Sequence, residues 1–469
     1  MRILENLNPK RVFHYFEEIC SFPHGSGNTA LISEYCERFA KEHSLYCHRD
    51  ALGSIIIKKP ATVGYEEHPA VILQGHLDMV CAKDDSADID METEGVKLIT
   101  DGEFVWAQGT TLGGDNGIAV AMVLAILEDN SLCHPPIEAL FTVDEETGMF
   151  GAEALDPAYL SGKMLINIDS EEEGVLTVSC AGGARAGFLL SLNREAVKNP
   201  VYKLRIDGLK GGHSGVEIDK GGQNADILMG ALLKRIPDCR ICTIAGGLKD
   251  NAIPSSCECI ISCPADPAEI AARFEKETRI PTDAGLSVTV TAAEAESYFD
   301  KRGTETIIEF LTTVQNGIIS MSEDIEGLVQ TSLNLGVLVT EGDNVNASFA
   351  VRSSVLEEKL CLMRDLKTTA ERVGADFTED SFYPGWEYKK ESRLRDTMCR
   401  VYEKKTGEKM TVSAIHAGLE CGLFCEKIEG LDAVSLGPDM FDVHTPREKL
   451  SVASTERVYN YLLEVLAAL

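Results

Sequence analysis

The sequence predicts an α/β protein in which a mixed, largely parallel sheet is flanked by helices and an α+β domain is inserted into the chain. The first observation is that short apolar runs alternate with helical ones between residues 54 and 179, a rhythm typical of strands joined by helical crossovers. The second is a change of rhythm between two chain breakers. The predicted elements of the first stretch are strands at 54–57, 71–73, 139–143, 164–168 and 175–178 and a helix at 117–127.

The two breakers, residues 180–184 (CAGGA) and 383–386 (YPGW), consist largely of small residues, glycine and proline. A chain of 469 residues also exceeds what one ordinary core accommodates. We therefore predict a main domain whose first part is residues 1–184 and whose second part is 386–469, with an inserted domain at 185–385.

The ends of the chain complete the main domain. Asn8-Pro9 predicts the start of a helix that ends near Cys20, because proline is favoured at the first position of a helix. After the insertion, the apolar pattern predicts a helix at 394–402, strands at 412–415 and 433–436, and a closing helix at 454–466.

Composition excludes several classes of protein. The formal charge is −31, which opposes binding to nucleic acid and to anionic membrane surfaces. The amino terminus lacks the apolar core of a secretory signal, and the longest apolar run, residues 118–127, is too short to span a bilayer. Fifteen cysteines without a spaced framework are typical of thiols in a reducing compartment. We expect a soluble, cytoplasmic protein.

Side chains that can bind metal follow the predicted strands. The carboxyl ends of parallel strands share one edge of an open α/β sheet, where ligands bind. Asp115 precedes the apolar helix and is expected at the same edge. The residues that follow strands are His76, Glu145, Glu146, Asp169 and His444. Asp78, two residues after His76, is a candidate to orient that histidine.

Each of these residues has an ordinary explanation when taken alone. His76 and Asp78 could form a hydrogen-bonded turn, and the adjacent glutamates Glu145 and Glu146 could form a solvated acidic turn. Taken together, the two histidines and the three carboxylates Asp115, Glu146 and Asp169 are too many for one tetrahedral zinc ion with an open position, but they suit two metals that share a carboxylate. Because adjacent glutamates point in different directions, one can bind metal while the other faces the attacking water; the pattern leaves open which.

The residues around these positions resemble a known family. Four motifs together are similar to those of the di-zinc metallopeptidases that include carnosinases, aminoacylases and glutamate carboxypeptidase: residues 75–80 (GHLDMV), 114–117 (GDNG), 144–148 (DEETG) and 167–169 (NID). Four further motifs resemble the aminoacyl-histidine dipeptidase branch of that family: residues 211–215 (GGHSG), 251–254 (NAIP), 352–354 (RSS) and 416–422 (HAGLECG).

The resemblance implies a ligand set. His76, Asp115 and Asp169 would hold one zinc, and Asp115, Glu146 and His444 the other, so that Asp115 bridges; Mn or Co could replace Zn, since these ligands accept several divalent ions. It also implies that Asp78 orients His76, that Glu145 is the general base, and that the peptide bond after Asp115 is cis.

The resemblance further implies that the main domain is catalytic and that the inserted domain is a lid or dimerisation-type domain; it leaves open whether the protein is a monomer or a homodimer. His213 would polarise the scissile carbonyl oxygen, Asn251 and Arg352 would contact the substrate and its carboxylate, and Glu420 is a possible substrate contact beside His416. Without the family, residues 211–215 would be an ordinary glycine-rich turn and Arg352 an ordinary surface arginine.

The implied function is metal-dependent hydrolysis of dipeptides, Xaa-His among them, by a water held between two metals with a glutamate base. The first alternative is an N-acyl amino acid deacylase of the same family, which a free α-amino group on the substrate would distinguish. The second is a non-catalytic metal-binding scaffold, which the complete ligand set and the additional glutamate disfavour.

Overall fold

The computed structural model describes residues 2–469. The eleven α-helices of this part of the chain are α1 (Lys10–Ile19), α2 (Ala30–Glu42), α3 (Gly114–Glu128), α4 (Phe150–Ala154), α5 (Ala225–Leu233), α6 (Ala268–Thr278), α7 (Lys301–Thr313), α8 (Leu356–Val373), α9 (Arg393–Thr406), α10 (Glu420–Lys427) and α11 (Val452–Ala468). None of the helices within residues 2–469 is long and apolar enough to cross a membrane.

The strands of the amino-terminal stretch are β1 (Tyr46–Arg49), β2 (Ile55–Lys59), β3 (Val71–His76), β4 (Leu98–Thr100), β5 (Phe104–Ala107), β6 (Ile137–Thr142), β7 (Met164–Asn167) and β8 (Val175–Cys180). The next strands are β9 (Gly182–Ser191), β10 (Arg194–Ala196), β11 (Val201–Asp207), β12 (Gly212–His213), β13 (Arg240–Gly246), β14 (Ala252–Ile253), β15 (Cys257–Ser262), β16 (Ser287–Ala292) and β17 (Ser297–Phe299). The last are β18 (Gly317–Met321), β19 (Val329–Glu341), β20 (Asn344–Ser353), β21 (Asp376–Tyr383), β22 (Thr411–Ile415), β23 (Asp432–Ser435), β24 (Met440–Phe441) and β25 (Lys449–Ser451).

The chain forms two compact units. The first consists of residues up to Ser179 together with Tyr388–Ala414 and Leu419–Leu469, and the second consists of Cys180–Glu387 and Ile415–Gly418. The short segment Ile415–Gly418 joins the second unit, whereas the sequence assigned it to the resumed main domain. A backbone hydrogen bond of 3.1 Å from the Ala181 N–H to the Ile415 carbonyl ties this segment to the start of the second unit.

The first unit is built on an eight-stranded mixed sheet with the order β1-β2-β6-β3-β7-β23-β8-β22. Its four central strands, β6, β3, β7 and β23, are parallel to one another, whereas β1 and β2 add antiparallel strands at one edge. The central strands are mainly apolar and almost entirely buried, as is typical of parallel strands covered on both faces. The fold class predicted from the alternating apolar runs is confirmed.

Helix α3 is buried on every side over residues 117–127 and packs against α1 and β3. Its carboxyl end is held by Lys59, a buried residue whose Nζ donates to the carbonyls of Ile126 (3.1 Å) and Asp129 (2.7 Å). A lysine at this position complements the negative end of the helix dipole and satisfies carbonyls that the helix leaves unpaired. The other end of α3 carries Asp115.

The second unit is built on a nine-stranded antiparallel sheet in the order β16-β11-β15-β13-β19-β20-β9-β21, with β18 paired to β19. One continuous apolar core contains residues of this sheet and of helices α5 to α8. Two short ladders accompany the sheet, β10 with β17 and β12 with β14. The β12–β14 ladder sets Gly212 opposite Ile253 and His213 opposite Ala252.

Candidate metal centre

Three neighbouring parallel strands of the first unit deliver ligand-type residues to one edge of the sheet. His76 is the last residue of β3, Asp169 comes two residues after β7, and Glu146 comes four residues after β6. Because β3 pairs in parallel with both β6 and β7, the carboxyl ends of the three strands lie side by side. The prediction that these strands end at a common edge is therefore correct.

Asp115 lies between two histidines. Its Oδ1 is 3.1 Å from His76 Nε2, and its Oδ2 is 3.1 Å from His444 Nε2. Asp115 is the second residue of α3 and has non-helical backbone angles, and the peptide bond that follows it is cis. One carboxylate thus presents a different oxygen to each of two imidazoles.

Two groups share this aspartate. In the first, His76 Nε2 lies 3.5 Å from Asp169 Oδ1; in the second, His444 Nε2 lies 2.9 Å from Glu146 Oε1. One potential ligand atom from each of His76, Asp115 and Glu146 falls within 4.8 Å of the other two. The structure thus brings the five predicted ligand residues together around Asp115, and their division between two metal ions stays a prediction.

The carboxylates of this cluster lack cationic partners other than histidine. Within residues 2–469, no lysine or arginine forms an ion pair with Asp115, Glu145, Glu146 or Asp169. Burial raises the pKa of Asp169 and of Glu146, and the neighbouring carboxylate of Asp115 adds to the rise in both. Several carboxylates that are costly to ionise in a buried site are stabilised when a cation enters.

The same surroundings favour the charged form of the two histidines. Hydrogen bonds with Asp115 and Glu146 raise the pKa of His444 to about 10. Burial opposes ionisation of His76, but the carboxylates of Asp169 and Asp115 raise its pKa well above the usual value. Protons on both rings therefore supply the positive charge that the carboxylates attract, and divalent cations would replace them. The donor set, imidazole nitrogens and carboxylate oxygens, fits Zn²⁺ and related ions.

Asp78 holds this edge together in two ways. Its backbone carbonyl accepts the Nδ1–H of His76 at 2.9 Å, which leaves Nε2 to face Asp115. Its carboxylate, 3.5 Å from the same ring nitrogen, accepts the backbone N–H groups of Glu145 (3.0 Å) and Glu146 (3.3 Å). Asp78 therefore positions both the histidine and the two glutamates.

The two adjacent glutamates have different surroundings. Glu146 contacts His444, whereas the carboxylate of Glu145 has no hydrogen-bond or ion-pair partner within residues 2–469. Burial raises the pKa of Glu145 well above its usual value, and the carboxylates of Asp169, Glu420 and Glu146 add to the rise. Glu145 is thus a half-buried, unpaired carboxylate beside the ligand cluster.

Glu420 is fully buried at the start of α10. Its Oε2 accepts hydrogen bonds from Gln74 Nε2 (2.6 Å) and Thr142 Oγ1 (2.8 Å), residues of β3 and β6. Burial raises the pKa of Glu420 to about 8. These contacts tie α10 to the two strands that carry His76 and the glutamates, and the role of Glu420 as a substrate contact stays a prediction.

In the second unit, the motif that contains His213 folds against the segment that contains Asn251. His213 pairs with Ala252 in the β12–β14 ladder, and the Ser214 N–H donates to the Asn251 carbonyl at 2.9 Å. The backbone N–H groups of Gly215 (3.1 Å) and Val216 (3.3 Å) donate to His213 Nδ1. Nδ1 is therefore the acceptor, and the proton of the neutral ring resides on Nε2.

Arg352 is also in the second unit, on β20. It is 8% exposed, and within residues 2–469 no carboxylate forms an ion pair with it. Its Nη1 donates to the Tyr383 hydroxyl at 3.2 Å, and its Nε has no hydrogen-bond partner in the described chain. Burial and the charge of Arg352 lower the pKa of His213 and bring that of His416 down to about 4. The unit thus keeps a buried guanidinium beside two neutral imidazoles.

The sequence did not predict two residues of the first unit that hold the backbone near the ligand residues. Asn116 accepts the His76 backbone N–H through Oδ1 (3.2 Å) and donates from Nδ2 to the Ile168 carbonyl (2.7 Å), so it links the ends of β3 and β7. The carboxylate of Glu448 accepts the backbone N–H groups of residues 112–115. Both act through backbone groups, which neither the strand pattern nor metal-ligand chemistry predicts.

This chain is similar to known proteins over almost its whole length. The sequence profile described as Peptidase family M20/M25/M40 matches residues 72–468. The chain is 36% identical, over an alignment of 479 positions, to cytosol non-specific dipeptidase of Escherichia coli (strain K12), and this alignment covers 99% of each protein.

The fold is similar to that of solved structures. The crystal structure of aminoacylhistidine dipeptidase from Vibrio alginolyticus superposes with a TM-score of 0.95 at 35% identity, covering 99% of this chain and 98% of that one. Aminopeptidase PepT from Bacillus cereus, at 16% identity and a TM-score of 0.59 over 98% of this chain and 99% of that one, shares the fold alone. A profile match that spans most of the sequence and a full-length relative above 30% identity lead to one conclusion: this chain belongs to peptidase family M20/M25/M40.

Proposed function

We propose that this protein is a metal-dependent dipeptidase. The observation that carries the proposal is the arrangement of Asp115 between His76 and His444, with the unpaired carboxylate of Glu145 beside them. Amide hydrolysis by a two-metal site requires a carboxylate that both metals share, here Asp115, and a base that binds neither metal, here Glu145. The full-length similarity to a cytosol non-specific dipeptidase and to an aminoacylhistidine dipeptidase supports dipeptides as the substrate class.

The proposed cofactor is two Zn²⁺ ions, with Mn²⁺ or Co²⁺ as possible replacements. His76, Asp115 and Asp169 would hold one ion, and Asp115, Glu146 and His444 the other. When bound, such ions acidify a water molecule and polarise the carbonyl of the scissile bond.

Glu145 is the proposed general base. A carboxylate that has no partner and is held by its backbone N–H to Asp78 can take a proton from the attacking water. The same oxygen then returns the proton to the leaving amine, so Glu145 begins and ends the cycle as a deprotonated carboxylate.

His213 is the proposed donor to the oxygen of the scissile carbonyl. Its Nδ1 is occupied as an acceptor, so a neutral ring carries its proton on Nε2 and can donate it as a hydrogen bond. A fixed donor directed at developing negative charge stabilises the transition state of acyl transfer. Asn251, adjacent to His213 through the Ser214 backbone bond, is proposed as a substrate contact.

The substrate class can be tested with matched substrates. Purified, metal-loaded protein would be assayed with dipeptides that have a free amino end, with the same dipeptides acetylated at that end, and with N-acyl amino acids. We expect hydrolysis of the free dipeptides at kcat/KM values well above those of the other two sets. Cleavage of the N-acyl amino acids without cleavage of free dipeptides would identify a deacylase instead.

Arg352 is the proposed partner of the substrate's terminal carboxylate. A buried guanidinium without a carboxylate partner is costly, since a buried charge is stable only when it is paired. A planar guanidinium can bind a carboxylate through two parallel hydrogen bonds, an arrangement that lysine does not reproduce. A dipeptide with a free carboxyl end would supply the missing anion.

Arg352→Lys is therefore expected to lower kcat/KM for Ala-His more than for Ala-His amide. A hydrogen bond to a charged group contributes ~1.5–3 kcal/mol, so the loss on the free acid corresponds to roughly 10–100-fold. Arg205→Lys, at an exposed arginine of the same sheet that pairs with Asp207, serves as the control and should change neither rate. Equal losses on acid and amide would remove Arg352 from carboxylate recognition.

A cytosolic location, the lid role of the inserted domain and a homodimer remain predictions. The location rests on the composition and on the cytosolic relative. The acidic composition still argues against nucleic acid and membrane as partners.

A further inference from the structure

The carboxylate of Glu448 lies at the amino end of α3. It accepts four backbone N–H groups: from Leu112 (2.7 Å) and Gly113 (3.2 Å) on Oε2, and from Gly114 (2.8 Å) and Asp115 (3.3 Å) on Oε1. Glu448 is 3% exposed. Each of its two oxygens therefore binds a consecutive pair of amides, and the last of the four belongs to Asp115.

These amides have few other partners available. The first N–H groups of an α-helix have no acceptor within the helix, and the helix dipole favours an anion near them. A carboxylate that accepts from backbone N–H groups forms charge-assisted bonds, which are stronger than neutral ones. Residues 112–114 are themselves buried, so removal of the Glu448 carboxylate would leave buried donors unsatisfied.

The chain segment that contains Glu448 also contains His444, one of the two histidines beside Asp115. His444 precedes Glu448 by four residues. Backbone hydrogen bonds from Thr445 N to Asp442 O (3.2 Å) and from Glu448 N to Thr445 O (3.0 Å) fold residues 442–448 into two successive turns. His444 contacts both Asp115 and Glu146. One short segment thus binds the backbone of residues 112–115 and presents an imidazole to the side chain at the end of that stretch.

We propose that Glu448 is a positioning residue for the metal centre. By holding the backbone of residues 112–115, it keeps the two oxygens of Asp115 directed at His76 and His444 at the same time, and it fixes the distance between the Asp115 and His444 ligands. Within residues 2–469, Glu448 forms no hydrogen bond or ion pair with either histidine, so it acts through Asp115. The inference rests on the proposed metal site, and it adds to that site a residue outside the ligand set.

The first unit offers a matched control. Glu138 is also 3% exposed, and it also accepts backbone N–H groups, those of Ser161 (2.9 Å) and Gly162 (2.9 Å). It is the second residue of β6, whereas the ligand cluster is at the other end of that strand. Loss of either carboxylate should destabilise the unit, but only loss of Glu448 should alter the metal centre.

The test compares Glu448→Gln with Glu138→Gln in the full chain. Zn²⁺ affinity would be measured by competition with a chelator, and amide hydrogen exchange at residues 112–115 would be followed in the metal-free proteins. We expect Glu448→Gln to bind Zn²⁺ about 10–100-fold more weakly, the usual effect of removing a group that supports a ligand, and to exchange these amides faster. Glu138→Gln should bind Zn²⁺ within about threefold of the native protein, and saturating Zn²⁺ should restore most of kcat in Glu448→Gln.

If Glu448→Gln does not fold, Glu448→Asp carries the same test, since it keeps the charge and shortens the side chain by one methylene; a smaller loss of affinity in the same direction is expected. Unchanged Zn²⁺ affinity in the Glu448 variant, or equal losses in the Glu448 and Glu138 variants, would overturn the inference. A native protein that binds Zn²⁺ but cleaves no dipeptide would contradict the proposed function alone and would leave the affinity comparison intact.

Discussion

Asp115→Ala is expected to empty or weaken both metal positions at once. Its two oxygens face different histidines, 3.1 Å from each, so no other single substitution removes a ligand from both groups. We expect kcat/KM for a dipeptide to fall by ~10³-fold or more, because bound metals supply several kcal/mol of transition-state stabilisation. Metal content measured after gel filtration would show whether both ions are lost.

The control for this variant is Asp156→Ala. Asp156 is in the same unit but caps the short turn at Pro157–Tyr159, so its removal should leave the metal content unchanged. Two full equivalents of tightly bound metal in Asp115→Ala would show that the aspartate does not bridge.

Glu145→Gln is expected to keep both metals and to lower kcat by roughly 10²–10⁴-fold, the usual contribution of a general base. The amide cannot take a proton from water, yet the backbone N–H that binds Asp78 is unchanged. KM should change little, since Glu145 is not proposed to bind the substrate. Steady-state kinetics with added metal, together with metal analysis, measures both quantities.

Glu146→Gln provides the contrasting variant. Glu146 contacts His444, so its substitution should weaken metal binding, and excess metal should recover part of the rate. If Glu145→Gln instead loses metal and regains full turnover when metal is added, the roles of the two glutamates are exchanged.

The sequence was most informative where strands end. The central parallel strands contain apolar runs, so their positions could be read from the runs that precede His76, Glu145 and Asp169. Strands β6 and β7 begin and end within two residues of the predicted bounds, whereas β3 begins as predicted and continues three residues further, to His76. Once those strands are neighbours, their carboxyl ends must share an edge. The ligand cluster therefore follows from periodicity together with the chemistry of imidazole and carboxylate.

The contacts that position the ligands could not be predicted in this way. Asn116 and Glu448 bind backbone groups of segments distant in sequence, and no periodic pattern records such a contact. The small sheet in which β5 lies between β4 and β25 was also missed, because strands of three or four residues are too short for alternation to be recognised. The start of the first helix was misplaced by one residue, since Pro9 occupies the N-cap position itself.

Metal-dependent cleavage of a dipeptide is the central function proposed for this protein. The most direct measurement starts from protein stripped of metal by a chelator, adds Zn²⁺, Mn²⁺ or Co²⁺ in separate titrations, and follows hydrolysis of Ala-His. We predict no hydrolysis by the stripped protein and a rate that rises with added ion and saturates near two equivalents. Full activity in the stripped protein, or the absence of hydrolysis of any dipeptide by protein loaded with two equivalents of metal, would contradict the account.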